Sequence, residues 1–118
     1  MSKIVQAVNS MIANSDRITN VIKGESEIFF LYNKKYKWSM TRRDGEHILW
    51  FYPGSISLQN LASHDGDDWQ GVEMVNYKDT DIGTKEAKAT FSELYTLLNE
   101  KVYGIDEVLN DIISDDDN

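Results

Sequence analysis

The sequence predicts an α+β fold: a four-stranded antiparallel sheet in meander order, with N-terminal and C-terminal helices packed mainly on one face. Three observations carry this. Residues 25–53 hold three strand-like apolar runs split by short turn signals. Residues 1–23 and 84–113 carry apolar residues at helical spacing. The chain has 118 residues and 13 aromatics, enough for one domain with a real core.

The N-terminal helix rests on Ile4, Val8, Met11 and Ile12, which fall at i, i+4, i+7 and i+8. Ile18, Val21 and Ile22 continue the stripe, so a helix is expected through Lys23. A break is expected near Asn14-Ser15-Asp16, where Ser15 or Asp16 suits an N-cap. Gly24 suits the end of the second piece.

Asp44-Gly45 is a two-residue hairpin turn in which both residues tolerate positive φ. It sets Arg43 against Glu46, Arg42 against His47, Met40 against Leu49 and Trp38 against Phe51. Taking Asn33-Lys34 as the preceding turn sets Leu31 against Tyr36 and Phe29 against Trp38. One face then carries Phe29, Leu31, Tyr36, Trp38, Met40, Leu49 and Phe51. The other carries Ile28, Phe30, Tyr32, Lys37, Ser39, Thr41, Ile48, Trp50 and Tyr52. A slip of one residue at the Asn33-Lys34 turn would exchange the faces of the first strand.

Pro53-Gly54 ends the third strand. Residues 55–63 read as a loop or short helix, 72–77 as the fourth strand and 78–83 as a turn. Thr84 is positioned to cap a helix over 84–101, with Ala87, Phe91, Leu94, Tyr95 and Leu98 on one stripe. Ile105, Val108, Leu109, Ile112 and Ile113 form a second stripe, with a break expected at Gly104. Residues 1–114 are read as one domain and 115–118 as a disordered acidic tail.

Composition narrows the function classes. The chain has no cysteine, which removes disulfides, thiol nucleophiles and thiolate metal sites. Polar residues interrupt the N-terminus too often for a signal-peptide core, and no run of 18 apolar residues suggests a membrane span. A cytoplasmic location without membrane association is expected. The net charge of −8 is uneven. Residues 1–60 hold eight basic and five acidic side chains, whereas residues 61–118 hold four and fifteen. Such an acidic half favours a basic partner.

The basic stretch KKYKWSMTRR, residues 34–43, mixes cations with Tyr36 and Trp38, as single-stranded nucleic-acid surfaces do. The alternation directs its aromatics and cations mostly to different faces. What remains of that reading is a sheet face with Phe30, Tyr32, Lys37, Trp50 and Tyr52. The acidic segments HDGDDWQG and DTDIG supply the leading alternative. Asp65, Asp67, Asp68, Asp79 and Asp81 around Trp69 suit a hot spot for a basic protein. Their spacing does not match an EF-hand loop, and His64 alone is a poor metal ligand set. No serine-hydrolase elbow, P-loop, dinucleotide fingerprint or zincin motif occurs, and no catalytic residue is assigned. Glu86 and Lys88 have a nuclease-like spacing but fall on the first turns of a helix.

The sequence reading is therefore a small acidic protein-binding module (inhibitor, immunity-type or adaptor) without cofactor. The alternatives are nucleic-acid binding on the sheet face, or a small enzyme whose site assembles only in the fold. A homodimer through the C-terminal helix or an open sheet face is a further expectation.

Overall fold

Five antiparallel strands form a meander in the order β1-β2-β3-β4-β5. The computed structural model describes residues 2–63, 69 and 71–116. Helix α1 spans Lys3–Ala13 and is capped by the Ser2 hydroxyl, which accepts from the Val5 N–H. A single 3₁₀ turn at Ser15–Arg17 leads into β1, Ile18–Lys23. Then follow β2 (Ile28–Tyr32), β3 (Tyr36–Arg43) and β4 (Glu46–Tyr52). Helix α2 (Leu58–Ala62), strand β5 (Val75–Lys78) and helix α3 (Asp79–Ile82) precede the long α4, Lys85–Tyr103, and α5, Ile105–Asp116.

The α+β class, the antiparallel sheet and the meander order stand, but the sheet has five strands rather than four. The extra strand is β1, where a second helical segment was expected. Four of its six residues, Ile18, Thr19, Val21 and Ile22, are β-branched and suit a pleated strand. A bulge hid it. Asn20 adopts φ 54°, and the register against β2 shifts between Thr19 and Ile22. The extra residue aims Ile18 and Val21 at the same side of the sheet, three apart, which imitates helical spacing. Gly24 thus follows a strand and is not a helix cap.

The Asp44-Gly45 hairpin has the expected register, with Arg43 opposite Glu46 and Trp38 opposite Phe51. Both turn residues have positive φ. The preceding hairpin corrects the expectation. Its loop is Asn33-Lys34-Lys35, so Tyr32 pairs with Tyr36 and Phe30 with Trp38. The faces of β2 are therefore exchanged. Every residue of IFFLY is apolar, so no polar position could fix the phase.

Each sheet face carries its own core. On one, Ile28, Phe30, Met40 and Leu49 meet Val8 and Met11 of α1 and Phe91, Leu94 and Leu98 of α4. The Thr90 hydroxyl donates to the Asn9 side-chain oxygen at 3.1 Å, joining the two helices. Phe30 is fully buried here, and its burial contributes about 2–3 kcal/mol. On the other face, Phe29 and Tyr52 pack beneath Leu58 and Leu61 of α2. Half-buried Trp50, Trp69, Val72 and Met74 extend that layer. Helices thus lie on both faces, with the larger pair, α1 and α4, on the first.

The Thr84 cap is as expected: its hydroxyl accepts from the Ala87 N–H at 3.0 Å. Gly104 ends α4 in the left-handed region at φ 61°, ψ 36°, where the break was expected. Residues 79–82, expected as a turn, are one helical turn closed by Gly83 at φ 78°. Helix α5 runs to Asp116, two residues into the stretch expected as tail. Residues 117–118 lie outside the described residues.

Candidate interaction surface

Helix α5 forms because Ile105, Val108, Leu109, Ile112 and Ile113 repeat at helical spacing. Asp106 and Glu107 in its first turn complement the helix dipole. The stripe these residues build is open. Val108, Leu109, Ile112 and Ile113 are 47%, 48%, 57% and 60% exposed. The twelve residues contain five carboxylates and no cation. At 100° per residue, Asp106 borders one side of the stripe and Asp111 and Asp115 the other. Twelve residues make a marginal helix in water unless an apolar face is packed. The principal neighbour of α5 is α4, and the molecule is drawn out to 55 Å against 33 and 27 Å in the other directions.

The second open apolar region lies at the far end of the sheet. Tyr32, Tyr36, Trp38, Phe51 and Tyr77, from four strands, form the floor of a groove of about 450 Å³ beside α1. It continues into a hollow of about 430 Å³ at Lys3 and Ile4, which shares Ala7, Trp38 and Tyr77. Trp38 and Phe51 pack with ring centroids 4.9 Å apart. Lys35 places its ammonium 4.8 Å from the Tyr36 ring centre.

The acidic-loop candidates do not assemble into one site among the described residues. Asp65, Asp67 and Asp68 lie outside the described residues, as does His64. Trp69 is half-buried, stacked near Phe29 (6.2 Å, 4° between planes) and Tyr52 (6.0 Å, 28°), so it serves the second core. Asp79 is buried and accepts from His47 twice. Asp81 alone sits exposed, on α3.

The sheet-face candidates are divided by the corrected register. Phe30 and Tyr32 lie on the α1/α4 side, Trp50 and Tyr52 on the α2 side. Lys37, on the α2 side, donates to the carbonyls of Gly54 and of Ile56, the latter at 2.7 Å. Its charge holds the loop after β4 and does not face solvent freely.

Two polar clusters lie within the fold, the first with a half-buried acid, Glu27, and the second buried. The Ser39 hydroxyl donates to Glu27 Oε2 at 2.7 Å and lies 2.7 Å from the Tyr52 hydroxyl. Tyr52 also donates to Glu27, at 3.3 Å. Burial pushes the Tyr52 phenol well above its ordinary value; the Ser39 hydrogen bond opposes this, and the Glu27 charge adds to it. The hollow beside Tyr52 and Lys37 measures about 10 Å³, room for one water at most. The other cluster is His47 with Asp79 and the edge of Tyr95, ring centroids 5.5 Å apart. Among the described residues no three His, Asp or Glu side chains converge as metal ligands. Nor does any described helix have the length and apolarity to cross a membrane.

Sequence reasoning saw the α5 stripe but left its packing open. It missed the groove, because a groove needs the ends of four strands and one helix brought together. The molecule is thus an α+β protein with a five-stranded meander, a projecting acidic helix and an aromatic groove. Comparison with known protein families, curated proteins and solved structures found no match for the chain.

Proposed function

We propose that this chain is a small acidic protein-binding module that engages a basic partner through α5. The observation that carries the reading is an apolar stripe left open on a helix whose charged residues are all carboxylates. Such a helix fits an apolar groove with a basic rim: the apolar residues supply affinity, and the carboxylates select the partner and speed encounter. The net charge of −8 extends that steering over the whole molecule. Inhibitors, immunity proteins and adaptors work by this kind of occupation, without chemistry of their own.

The test is capture of a partner from lysate by the intact chain and by the double variant Ile112→Asp, Ile113→Asp. Both positions are exposed, so the fold should survive. The intact chain should retain a basic protein that the variant loses, and association should slow as salt rises. Equal capture by both proteins would remove α5 from the reading, and salt-independent association would remove its electrostatic part.

A further inference from the structure

We infer that the chain alone forms a two-fold dimer in which α5 of each copy lies in the aromatic groove of the other. This rests on the reading of α5 as a docking helix, and it names what covers that helix when no other partner is present.

Charge argues against two α5 helices pairing with each other. Carboxylates border the stripe on both sides, Asp106 on one and Asp111 and Asp115 on the other, so such a seam would set acids of one helix beside acids of the other, and like charges there repel. The helix needs an apolar surface rimmed by cations. The chain itself carries one. Its floor is aromatic, with Tyr36 40% exposed and Val75, opposite Phe51 on the same face, 45% exposed. Its rim holds Lys3 at one end and Lys34 and Lys35 at the β2–β3 turn. Helix α1 and residues 32–38 contain no carboxylate, so these two walls carry only cations although the molecule is acidic, the nearest acid in sequence being Asp16 beyond the end of α1.

The helix does not occupy the groove of its own chain. Helix α4 ends where Tyr103 lies 5.9 Å from the Lys23 ammonium. Lys23 pairs with Ile28, and Ile28 with Met40, at one end of the strands. Tyr32, Tyr36, Trp38 and Phe51 mark the opposite end. Helix α5 begins at the wrong end and its stripe stays open.

Two-fold reciprocity makes the contact sufficient. A twelve-residue helix is about 18 Å long and alone would bury less than a typical stable interface. Exchange doubles the contact, and a closed pair leaves no free groove to propagate a fibre.

The experiment measures mass in solution by light scattering at submillimolar concentration. Three proteins are compared: the full chain, Ile112→Asp/Ile113→Asp, and Ala7→Glu, an exposed position in the groove wall. Circular dichroism confirms that each is folded. The full chain should dimerise and each variant should weaken the dimer at least about tenfold. Mixing the two variants should bring association back only in part, because a mixed pair keeps one intact helix in one intact groove and loses the reciprocal contact. A monomeric full chain would overturn the inference while leaving partner binding by α5 standing. A dimer that needs Ile112 and Ile113 but tolerates Ala7→Glu would overturn it in favour of paired helices.

Discussion

Asp79 accepts two hydrogen bonds from one residue: the His47 backbone N–H at 3.1 Å and the His47 ring Nδ1 at 3.0 Å. A carboxylate only accepts, so Nδ1 carries the hydrogen. The pair ties the first turn of α3 to the start of β4, and the Thr80 hydroxyl donates to Glu46 alongside it. Both residues are buried, so removing the carboxylate strands two donors away from water. Asp79→Ala should cost about 2–3 kcal/mol in urea unfolding, with faster amide exchange at His47. Asp79→Asn keeps one acceptor for the backbone N–H and should cost less. Equal losses for the two variants would mean that the hydrogen bonds are not what the carboxylate supplies.

The Tyr52 phenol predicts an alkaline limb in stability. Burial raises its folded pKa above the ordinary value near 10, so the folded chain keeps a proton that the unfolded chain releases. The stabilisation is fully present below about pH 10 and is lost as pH rises from there through the folded pKa. Between those limits Tyr52 lowers stability by at most about 1.4 kcal/mol per pH unit. Tyr52→Phe should cost about 1 kcal/mol at neutral pH, because Ser39 keeps its bond to Glu27. Above pH 10 its stability should fall less steeply than that of the natural chain. Parallel slopes in urea unfolding from pH 9 to 11 would remove this account.

What the sequence revealed and what it hid follow one physical line. Elements whose chemistry is local were legible: the Asp44-Gly45 turn, the Thr84 cap and the Gly104 break each depend on a few adjacent residues. Where phase depended on a single extra residue, the reading failed. The bulge at Asn20 turned strand spacing into apparent helix spacing. The third loop residue, Lys35, moved Phe30 to the side where Phe29 was expected. That shift dispersed the proposed Phe30/Trp50/Tyr52 surface. Candidate sites were harder still, since Trp69 and Asp79 found their partners, Phe29 and His47, 40 and 32 residues away. Charge totals marked the acidic half but not which acids project beside an apolar face.

Lys37 separates a structural cation from a nucleic-acid one. Lys37→Met keeps the apolar stem but leaves the Gly54 and Ile56 carbonyls without the ammonium. It should cost about 1–2 kcal/mol, since a charged donor outweighs a neutral one and partial exposure reduces the effect. Proteolysis and amide exchange should quicken over residues 53–57. In a Trp38→Phe background, which removes the groove tryptophan, emission should stay unchanged when a mixed oligonucleotide is titrated at low salt, because Trp69 is stacked in the second core and Trp50 packs against that core. Quenching that disappears in Lys37→Met would restore the nucleic-acid reading.

Gly104 sets the direction of α5 and therefore what the helix can reach. A Cβ placed there would meet nothing within 4 Å, so an alanine suffers only from the left-handed backbone at φ 61°. That conformation costs a non-glycine residue about 1–2 kcal/mol. Little resists relief of the strain, because the α5 stripe is open and its main support is α4. Gly104→Ala should therefore straighten the chain into one helix over residues 85–116, about 48 Å long at 1.5 Å per residue. Small-angle scattering should show a longer maximum dimension, while the unfolding midpoint barely moves. Docking through α5 should weaken although none of its contact residues has changed. An unchanged dimension together with a loss of about 1 kcal/mol would instead place the bend in the α4–α5 contacts, with Gly104 only accommodating it.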